Sequence, residues 1–556
     1  MRLETIAALD GQPSPVATYA LSKRDTIWLQ AYDSHKGRID LDFARQLLST
    51  PEMVSAYAVD AKYTDATLAA RFETWASFGP PVGSIWKPSL AEQKKFPAIQ
   101  PLIHNPWTVL GPPQAPRADP EAAADRPLFG HVNKPTAAVK VADEPAWHGT
   151  LLPASDADIW LSTGFANYER LVALEQRLRR QAGAASLPTD SLDEFGVELS
   201  YYRSLHALGA RAGRDFPLAK TSASLRDEHW YQVATAKGVL LLHSLRGLVG
   251  AERFDRALDE FGRRHAGQPV SAQDFERFMQ GRTGMDLAPF FDWWLKRTGL
   301  PRLALASAKS ARSGPGWLTT VELDTTALGP ALAVPVTVET EDDEVTVQEV
   351  VSGKQRRITV KTAQRPRRVV VDKYGHSARA NGSPFTILSF DSALERTLLV
   401  YGTQDEEVGN REAATLLQHA LRRREHNVLP KLVSDSEVDE AMLSSHHLLL
   451  VGRPSTNALT ARWAERLPVR FGRNSFEVRD ELYTHEHSAV IVAGENPLNP
   501  RYASVVIASL SSLGMYRIVP QFEEEMLSYA PLVVLPHGRE AEDFVPALPE
   551  LSVELP

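Results

Sequence analysis

The chain has 556 residues, of which 43% are hydrophobic and 23% charged, and its formal net charge is −8. This length predicts several domains, and the ordinary composition predicts a soluble globular protein with no preference for nucleic acid or an anionic membrane. There is no cysteine, which excludes disulfides, cysteine nucleophiles and thiolate metal sites but suits bacterial cytoplasmic and exported proteins alike.

Residues 1–140 form an N-terminal region whose fold the sequence does not predict. The stretches 40–48 and 65–78 are helix-like and carry no motif, and residues 79–145 are rich in proline, which is typical of irregular chain. The start of the chain has no apolar core of signal-peptide length, and no run of about 18 apolar residues predicts a membrane span. The compartment is left open, and a location outside the cytoplasm is expected only if the chain is truncated at Met1.

Residues 147–174 read WHGTLLPASDADIWLSTGFANYERLVAL, and a single helix is predicted over 159–182. Its apolar residues recur near the spacing of one helical face. Arg179 and Arg180 complement the helix dipole, and Gly183 provides a stop signal. Further helices are predicted over 192–210, 252–265, 271–281 and 286–297, and another around Tyr231 to Gly238.

Four motifs in this region resemble those of the gluzincin aminopeptidases, the family of membrane alanyl aminopeptidases and leukotriene hydrolases. In that family a helix carrying HExxH is followed by a WWGN-like turn and a helix reading WLNEGFAxY. Here the turn corresponds to residues 147–150 and the second helix to residues 160–168. Residues 231–238 resemble the family's YxKG helix, and residues 284–305 resemble its DLxxFFxxWxxxxGxP ending. The resemblance covers residues 141–305, and it implies a helical aminopeptidase-like domain over 141–300.

The resemblance also implies where the chemistry would be, and those residues have been replaced. The two histidine ligands and the general-base glutamate fall on Val141, Pro145 and Ala142, within the stretch Val141, Ala142, Asp143, Glu144 and Pro145. The glutamate that is the third zinc ligand becomes Thr163, and the catalytic tyrosine becomes Thr235. Catalytic zinc needs three nitrogen or oxygen ligands and an open position. We therefore predict no catalytic residue, no metal ligand and no cofactor here, although the family would use zinc.

Two further domains are predicted after residue 300. Short alternating segments with turn signals predict a β-sandwich over 301–380. From 385 to 545, apolar strands alternate with helices, including a helix over 501–513, which favours a three-layer α/β domain with a largely parallel sheet. The fold class is therefore multidomain α+β.

Ligands of such α/β sheets bind at the carboxyl ends of the strands. Gly402, Thr403 and Asn410 are the candidate ligand-binding residues, and Gly452-Arg453 and Gly494-Glu495-Asn496 are expected at the same edge. No nucleotide-binding or hydrolase motif supports this site.

The remaining candidates are histidines. His485 and His487 share one face if their stretch is extended, and two histidines at this spacing can bind a metal. Exposed strand histidines without a third ligand are far more common, so a surface role is favoured. His148 replaces an aromatic residue of the family turn, and packing is the favoured role for it.

Three functional hypotheses follow. The favoured one is a catalytically inactive aminopeptidase-like protein that acts as a scaffold or binds a peptide or protein partner, with no nucleic acid and no membrane span. The alternatives are an active zinc-dependent aminopeptidase and small-ligand binding by the α/β domain. Oligomeric state is not predicted.

Overall fold

The computed structural model describes residues 2–7, 13–20, 26–30, 145–183, 187, 189–223, 229–353, 356–424, 428–523 and 529–556. The chain forms two compact units. One contains Met1–Arg177 and Ala212–Gly299, and the other contains Leu178–Arg211 and Leu300–Pro556. The predicted mixed α+β class is confirmed, since both helices and several sheets are present. The predicted stretches 40–48 and 65–78 and the aligned residues 141–144 lie outside the described residues.

The first unit has three short strands near the N-terminus, which pair antiparallel in the order β1-β2-β3. These are β1 (Arg2–Ala7), β2 (Pro13–Ala20) and β3 (Thr26–Gln30). Later in the unit, β4 (Leu152–Pro153) pairs parallel with β5 (Pro269–Val270).

The described residues between 159 and 296 form six helices, and the predicted helices are all confirmed to within a few residues. They are α1 (Ile159–Ala182), α2 (Thr189–Arg211), α3 (His229–Val249), α4 (Ala251–Arg264), α5 (Ala272–Thr283) and α6 (Ala288–Lys296). The start of α5 has a capping box, in which the Ser271 hydroxyl accepts from the Asp274 amide and the Asp274 side chain accepts from the Ser271 amide. On α6, Phe290, Phe291 and Trp294 are buried. Of the described helices, none is long and apolar enough to cross a membrane.

The second unit contains a sandwich of two antiparallel sheets with one apolar core between them. One sheet has the order β10-β7-β6 and the other β22-β11-β8-β9. Its strands are β6 (Leu305–Ser313), β7 (Gly316–Leu323), β8 (Leu332–Glu339), β9 (Glu344–Val351), β10 (Arg357–Thr362), β11 (Arg368–Val371) and β22 (Ser552–Glu554). The last of these comes from the C-terminal end of the chain, far from the predicted range 301–380.

The same unit contains a seven-stranded sheet in the order β13-β12-β14-β19-β18-β20-β21. Its strands are β12 (Thr397–Tyr401), β13 (Lys431–Ser434), β14 (His447–Val451), β18 (Ala489–Glu495), β19 (Ala503–Ser509), β20 (Leu532–Leu535) and β21 (Glu542–Phe544). From β13 to β19 all neighbours are parallel, and from β19 to β21 all are antiparallel. The prediction of a largely parallel sheet is therefore right for one half only.

Layers cover both faces of this sheet. Helices α7 (Glu407–Arg424) and α10 (Ser512–Glu523) pack on one face. Helices α8 (Glu440–Ser444) and α9 (Ala458–Trp463) pack on the other, together with a small antiparallel sheet of β15 (Arg470–Phe471), β16 (Phe476–Val478) and β17 (Glu481–Tyr483). The predicted helix over 501–513 is wrong. The β-branched run Val505, Val506 and Ile507 forms the buried strand β19 instead.

Candidate functional site

The turn at residues 147–150, which resembles the WWGN-like turn of the family, is packed against its surroundings by Trp147. It belongs to the first compact unit, which is called the helical unit below. The Trp147 side chain is 2% exposed, and its Nε1 donates to the Phe165 carbonyl at 3.2 Å. Its ring lies 5.6 Å from that of Phe165. Gly149 follows with a φ of +102°, and a Cβ there would lie 2.2 Å from the Gly262 carbonyl oxygen on α4. The glycine is therefore required by backbone conformation and by a close approach of two backbones.

A second close approach joins the two helices that carry the remaining motifs. A Cβ at Gly238 of α3 would lie 2.3 Å from the Trp160 carbonyl oxygen of α1. A Cβ at Gly164 of α1 would lie 3.0 Å from the Gly238 carbonyl carbon. Glycine at both positions brings the helices into contact, so these motif residues have a packing role that does not depend on catalysis.

Thr163, which the resemblance aligns with the family's third zinc ligand, is enclosed by this packing. It is 2% exposed, and its Oγ1 donates to the Ile159 carbonyl of its own helix at 3.1 Å. This back-bonding to the preceding turn is the common behaviour of threonine inside a helix. The Thr163 hydroxyl is already hydrogen-bonded. Valine and proline at the histidine positions have no side-chain atom that can ligate a metal, so this set of residues does not fit a zinc ion.

Thr235, at the position of the catalytic tyrosine, is also buried on α3, with 5% exposure. A threonine hydroxyl is too short to reach where a phenol would stabilise an oxyanion. Tyr231 lies one helical turn earlier. Desolvation raises its pKa to about 12, although the neighbouring Thr235 hydroxyl lowers it. The neutral phenol is therefore the form present at neutral pH.

Lys237, which the resemblance to YxKG retains, is fully buried and has a structural partner. Its Nζ donates to the Arg297 carbonyl, just beyond α6, at 2.8 Å, and lies 3.9 Å from the Asp215 carboxylate. Burial lowers the pKa of Lys237 to about 8, against the opposing effect of Asp215. The lysine thus ties α3 to the end of α6.

The helical unit also contains a buried ionic cluster that was not identified from the sequence. Arg246 on α3 is 6% exposed, and its Nη1 donates to Glu175 Oε2 at 2.5 Å. Its Nε and Nη2 donate to the Asp255 carboxylate at 2.8 and 3.0 Å. Because the partners are far apart along the chain, no local pattern indicates this cluster. It is a fully paired structural group.

His148 lies on the surface, where the sequence favoured packing. Its side chain is 47% exposed, and both its amide and its Nδ1 contact Asp259 Oδ1, at 2.8 and 2.9 Å. Arg263 Nη2 lies 3.0 Å from the same ring nitrogen. The packing expectation is wrong, because the turn directs the side chain along α4.

The α/β sheet brings Gly402, Thr403 and Asn410 together at the carboxyl end of β12, as predicted. Asn410 is 1% exposed, and its Nδ2 donates to the Gly402 carbonyl at 3.2 Å. Thr403 donates through its amide and hydroxyl to Asp435 Oδ1, at 3.1 and 2.6 Å. A Cβ at Gly402 would lie 2.1 Å from the Thr456 carbonyl oxygen. These polar groups are already paired within the chain.

The neighbouring residues extend this internal network, and the sequence had indicated only some of them. Arg453 Nη2 and Ser512 Oγ donate to the Glu406 carboxylate at 2.6 and 2.7 Å. Partial burial raises the pKa of Glu406, but these bonds outweigh it and hold the pKa below its usual range. The fully buried Asn457 donates to the Val400 and Val451 carbonyls, both at 3.1 Å. Asp435, Glu406 and Asn457 were missed because they become neighbours only across strands.

Gly494-Glu495-Asn496 does not lie at this edge, so that expectation is wrong. Strand β18 runs antiparallel to β19, and Gly494 pairs with Ser504. Ser504 in turn pairs with Leu448, near the start of β14. The end of β18 therefore lies at the opposite edge of the sheet from Gly402.

Comparisons with known proteins connect the chain to aminopeptidases over limited stretches. No family model matches the chain. Aminopeptidase N of Caulobacter vibrioides is 28% identical over 130 residues, which is 22% of this chain and 15% of that protein. Aminopeptidase M1-B of Oryza sativa subsp. japonica is 25% identical over 182 residues, which is 32% of this chain and 19% of that protein. The chain thus spans less than a fifth of the length of these relatives, and the matches point to the M1 aminopeptidase family.

Two solved structures are similar at low TM-score. Legionella pneumophila aminopeptidase A in complex with aspartic acid aligns with a TM-score of 0.29 and 13% identity, over 49% of this chain and 28% of that chain. A point mutant of the Deinococcus radiodurans M1 zinc metallopeptidase, bound to the substrate Tyr-Ser-Ala, aligns with a TM-score of 0.20 and 23% identity, over 27% of this chain and 30% of that chain. The family connection therefore rests on the two sequence matches.

Proposed function

We propose that this protein is a catalytically inactive relative of the M1 aminopeptidases that binds a peptide or protein partner or acts as a scaffold. The observation that carries the proposal is the division between retained and lost motif residues. Gly149, Gly164 and Gly238 are retained, and a Cβ at Gly149 or Gly238 would lie within 2.3 Å of a backbone oxygen, a distance that only glycine tolerates. The residues at the ligand and general-base positions cannot bind zinc or transfer a proton.

This division is the pattern expected when the fold is needed and the reaction is not. Packing residues remain because replacing them would separate α1, α3 and α4. The positions that the resemblance assigns to chemistry are filled by valine, alanine, proline and two threonines, of which Thr163 hydrogen-bonds within its own helix.

The first alternative is an active zinc aminopeptidase, which would need ligands from other parts of the chain. The second is small-ligand binding by Gly402, Thr403 and Asn410. Their internal hydrogen bonds favour a structural role, since a ligand would have to displace bonds to Asp435 and the Gly402 carbonyl.

A test of both catalysis and binding uses the tripeptide Tyr-Ser-Ala, to which the Deinococcus mutant is bound. The purified chain with added Zn²⁺ is incubated with the peptide. Cleavage is followed by mass spectrometry, and binding of a labelled form is followed by fluorescence anisotropy. We expect binding without cleavage. Aminopeptidase N of Caulobacter vibrioides serves as the active control.

A variant of the contact between α1 and α3 distinguishes cleavage by this chain from cleavage by contaminating peptidases. Gly238→Val should disrupt the contact of α1 with α3 and remove any cleavage that belongs to the chain. Cleavage by the wild type that this variant loses would overturn the proposal, whereas cleavage that both retain belongs to a contaminant.

A further inference from the structure

Three histidines meet at one end of the antiparallel pair β18 and β20. His485 and His487 precede β18, and His537 follows β20. Ala489, at the start of β18, pairs with Leu535, at the end of β20, so the two flanking loops lie side by side. One nitrogen from each ring lies within 4.8 Å of the other two. The sequence indicated His485 and His487, but the third histidine is distant in sequence and becomes adjacent only through the strand pairing.

The backbone of both loops is held in place by local contacts. Ser511 Oγ donates to the Glu486 carbonyl at 2.8 Å, which fixes the first loop to the start of α10. The His537 amide donates to Ser488 Oγ at 3.3 Å, which joins the two loops. Gly538 has a φ of +77°, which turns the chain directly after His537. The histidines are therefore carried by an ordered framework.

The ring nitrogens of His487 give the strongest indication of a metal-binding role. Its side chain is 17% exposed, and neither ring nitrogen makes a hydrogen bond to any described residue. The Glu486 carboxylate approaches its Nε2 only to 3.6 Å. Polar atoms that are buried in native proteins nearly always have a partner, and an ion is one explanation of an exception.

His485 and His537 are stacked, with ring centroids 3.6 Å apart and an angle of 4° between the planes. The His485 Nδ1 accepts from the His487 amide at 3.2 Å. The His537 Nδ1 lies 3.3 Å from Arg517 Nη1, and since a guanidinium only donates, this nitrogen accepts.

We propose that His485, His487 and His537 bind one divalent transition-metal ion of the Zn²⁺ type, which joins the loops before β18 and after β20. Imidazole nitrogens suit zinc, copper and nickel. Zinc–nitrogen bonds of about 2.0–2.1 Å place tetrahedral ligands about 3.3 Å apart, so the rings need to approach by no more than roughly 1.5 Å. Binding also requires the His485 and His537 rings to rotate out of their parallel stack, because the lone pairs of parallel rings do not converge on one point. A water molecule or the Glu486 carboxylate completes the coordination.

This site is independent of the proposed loss of the peptidase site, since its residues belong to the other compact unit. The histidine site would be present whether or not the helical unit has peptidase activity. Zinc bound by these histidines would therefore say nothing in favour of peptidase activity.

The test is calorimetric titration of the full chain with Zn²⁺, using wild type and His537→Ala. We expect one ion per wild-type chain and at least tenfold weaker binding by the variant. His419→Ala, at an exposed position of α7, is the matched control and should bind as the wild type does. Thermal melting without metal checks that all three proteins are folded equally well. X-ray absorption spectroscopy of the zinc-loaded chain should detect three imidazole ligands.

A variant with the opposite expected effect strengthens the test. Arg517→Gln removes a cation and a competing donor from His537, so it should tighten Zn²⁺ binding while the loss in His537→Ala remains. Equal affinity of wild type and His537→Ala, a zinc spectrum without imidazole scattering, or weaker binding by Arg517→Gln would each overturn the proposal.

Discussion

Two regions differ in whether their polar side chains have hydrogen-bond partners. One is the contact between α1 and α3, and the other is the pair of loops that flank β18 and β20. In the helical unit, Thr163 and Lys237 are buried, and each has a partner in a nearby carbonyl. In the loops, the ring nitrogens of His487 have no hydrogen bond within the described part of the chain. The first region carries motifs that resemble those of a catalytic family, and its Thr163 and Lys237 are already paired, whereas the second carries no motif and has three histidine nitrogens within 4.8 Å of one another. Position within a family motif is therefore a weaker guide to binding than the local pairing of polar groups.

The largest effect should come from restoring the family's ligand to the packed site. We expect Thr163→Glu to lower the free energy of unfolding by about 3–5 kcal/mol, because a carboxylate would be buried without a partner. Thr163→Val, which removes the hydroxyl and its hydrogen bond, should cost about 0.5–1.5 kcal/mol. Urea titration measures both. Equal stability of Thr163→Glu and wild type would mean that this position has room for a charged side chain. The helix contact would then not be the fully packed region described above.

The helix contact is tested by two glycine substitutions of the same kind. Gly238→Ala should destabilise the chain by about 2–3 kcal/mol, because its Cβ would overlap the Trp160 carbonyl. Gly281→Ala, on α5, meets nothing within 4 Å and should stabilise by about 0.5–1 kcal/mol through helix propensity. Thermal unfolding of the pair gives the signs. A stabilising Gly238→Ala would contradict the packing role of the retained motif.

The network in the α/β sheet should behave like the helical unit if its polar groups are structural. Asn457 also accepts from the Leu459 and Thr460 amides at 2.9 and 3.1 Å, so it caps α9. We expect Asn457→Ala to cost about 1–2 kcal/mol in the free energy of unfolding. Asn499→Ala, which removes the bond to the Ser444 carbonyl and the bond from the Arg501 amide, is the milder control. A stabilising Asn457→Ala would instead favour strain kept for a ligand.

The smallest effect concerns the proton of Lys237. Its folded pKa is about 8, below the unfolded value, so the unfolded chain binds more protons between the two values and stability rises with pH there. Relative to Lys237→Met, the wild type should gain about 1 kcal/mol between pH 8 and pH 9. Guanidinium titrations at the two pH values measure this change. A difference that does not depend on pH would place the ammonium in contact with water.

The sequence predicted the elements that depend on local pattern and missed the relations between distant strands. Helix α1 matches its predicted bounds, since the apolar spacing and the stop at Gly183 are both local. Gly402 and Gly452 were correctly placed at one edge, because the parallel strands β12 and β14 end there. The reversed direction of β18, the buried partners of Arg246 and the approach of His537 to His485 all depend on tertiary pairing. No short window of residues indicates them.

The pairing of the final strand has a consequence for the order in which the chain can fold. Strand β22 pairs with β11, whose other edge pairs with β8, so two neighbouring strands of one sheet are separated by the whole seven-stranded sheet. During synthesis β11 has one edge unpaired until residues 552–554 have left the ribosome. Closing so long a loop is slow, and an unpaired edge is open to other strands in the meantime. A short truncation that removes residues 552–556 would make this exposure permanent, which would promote association between chains.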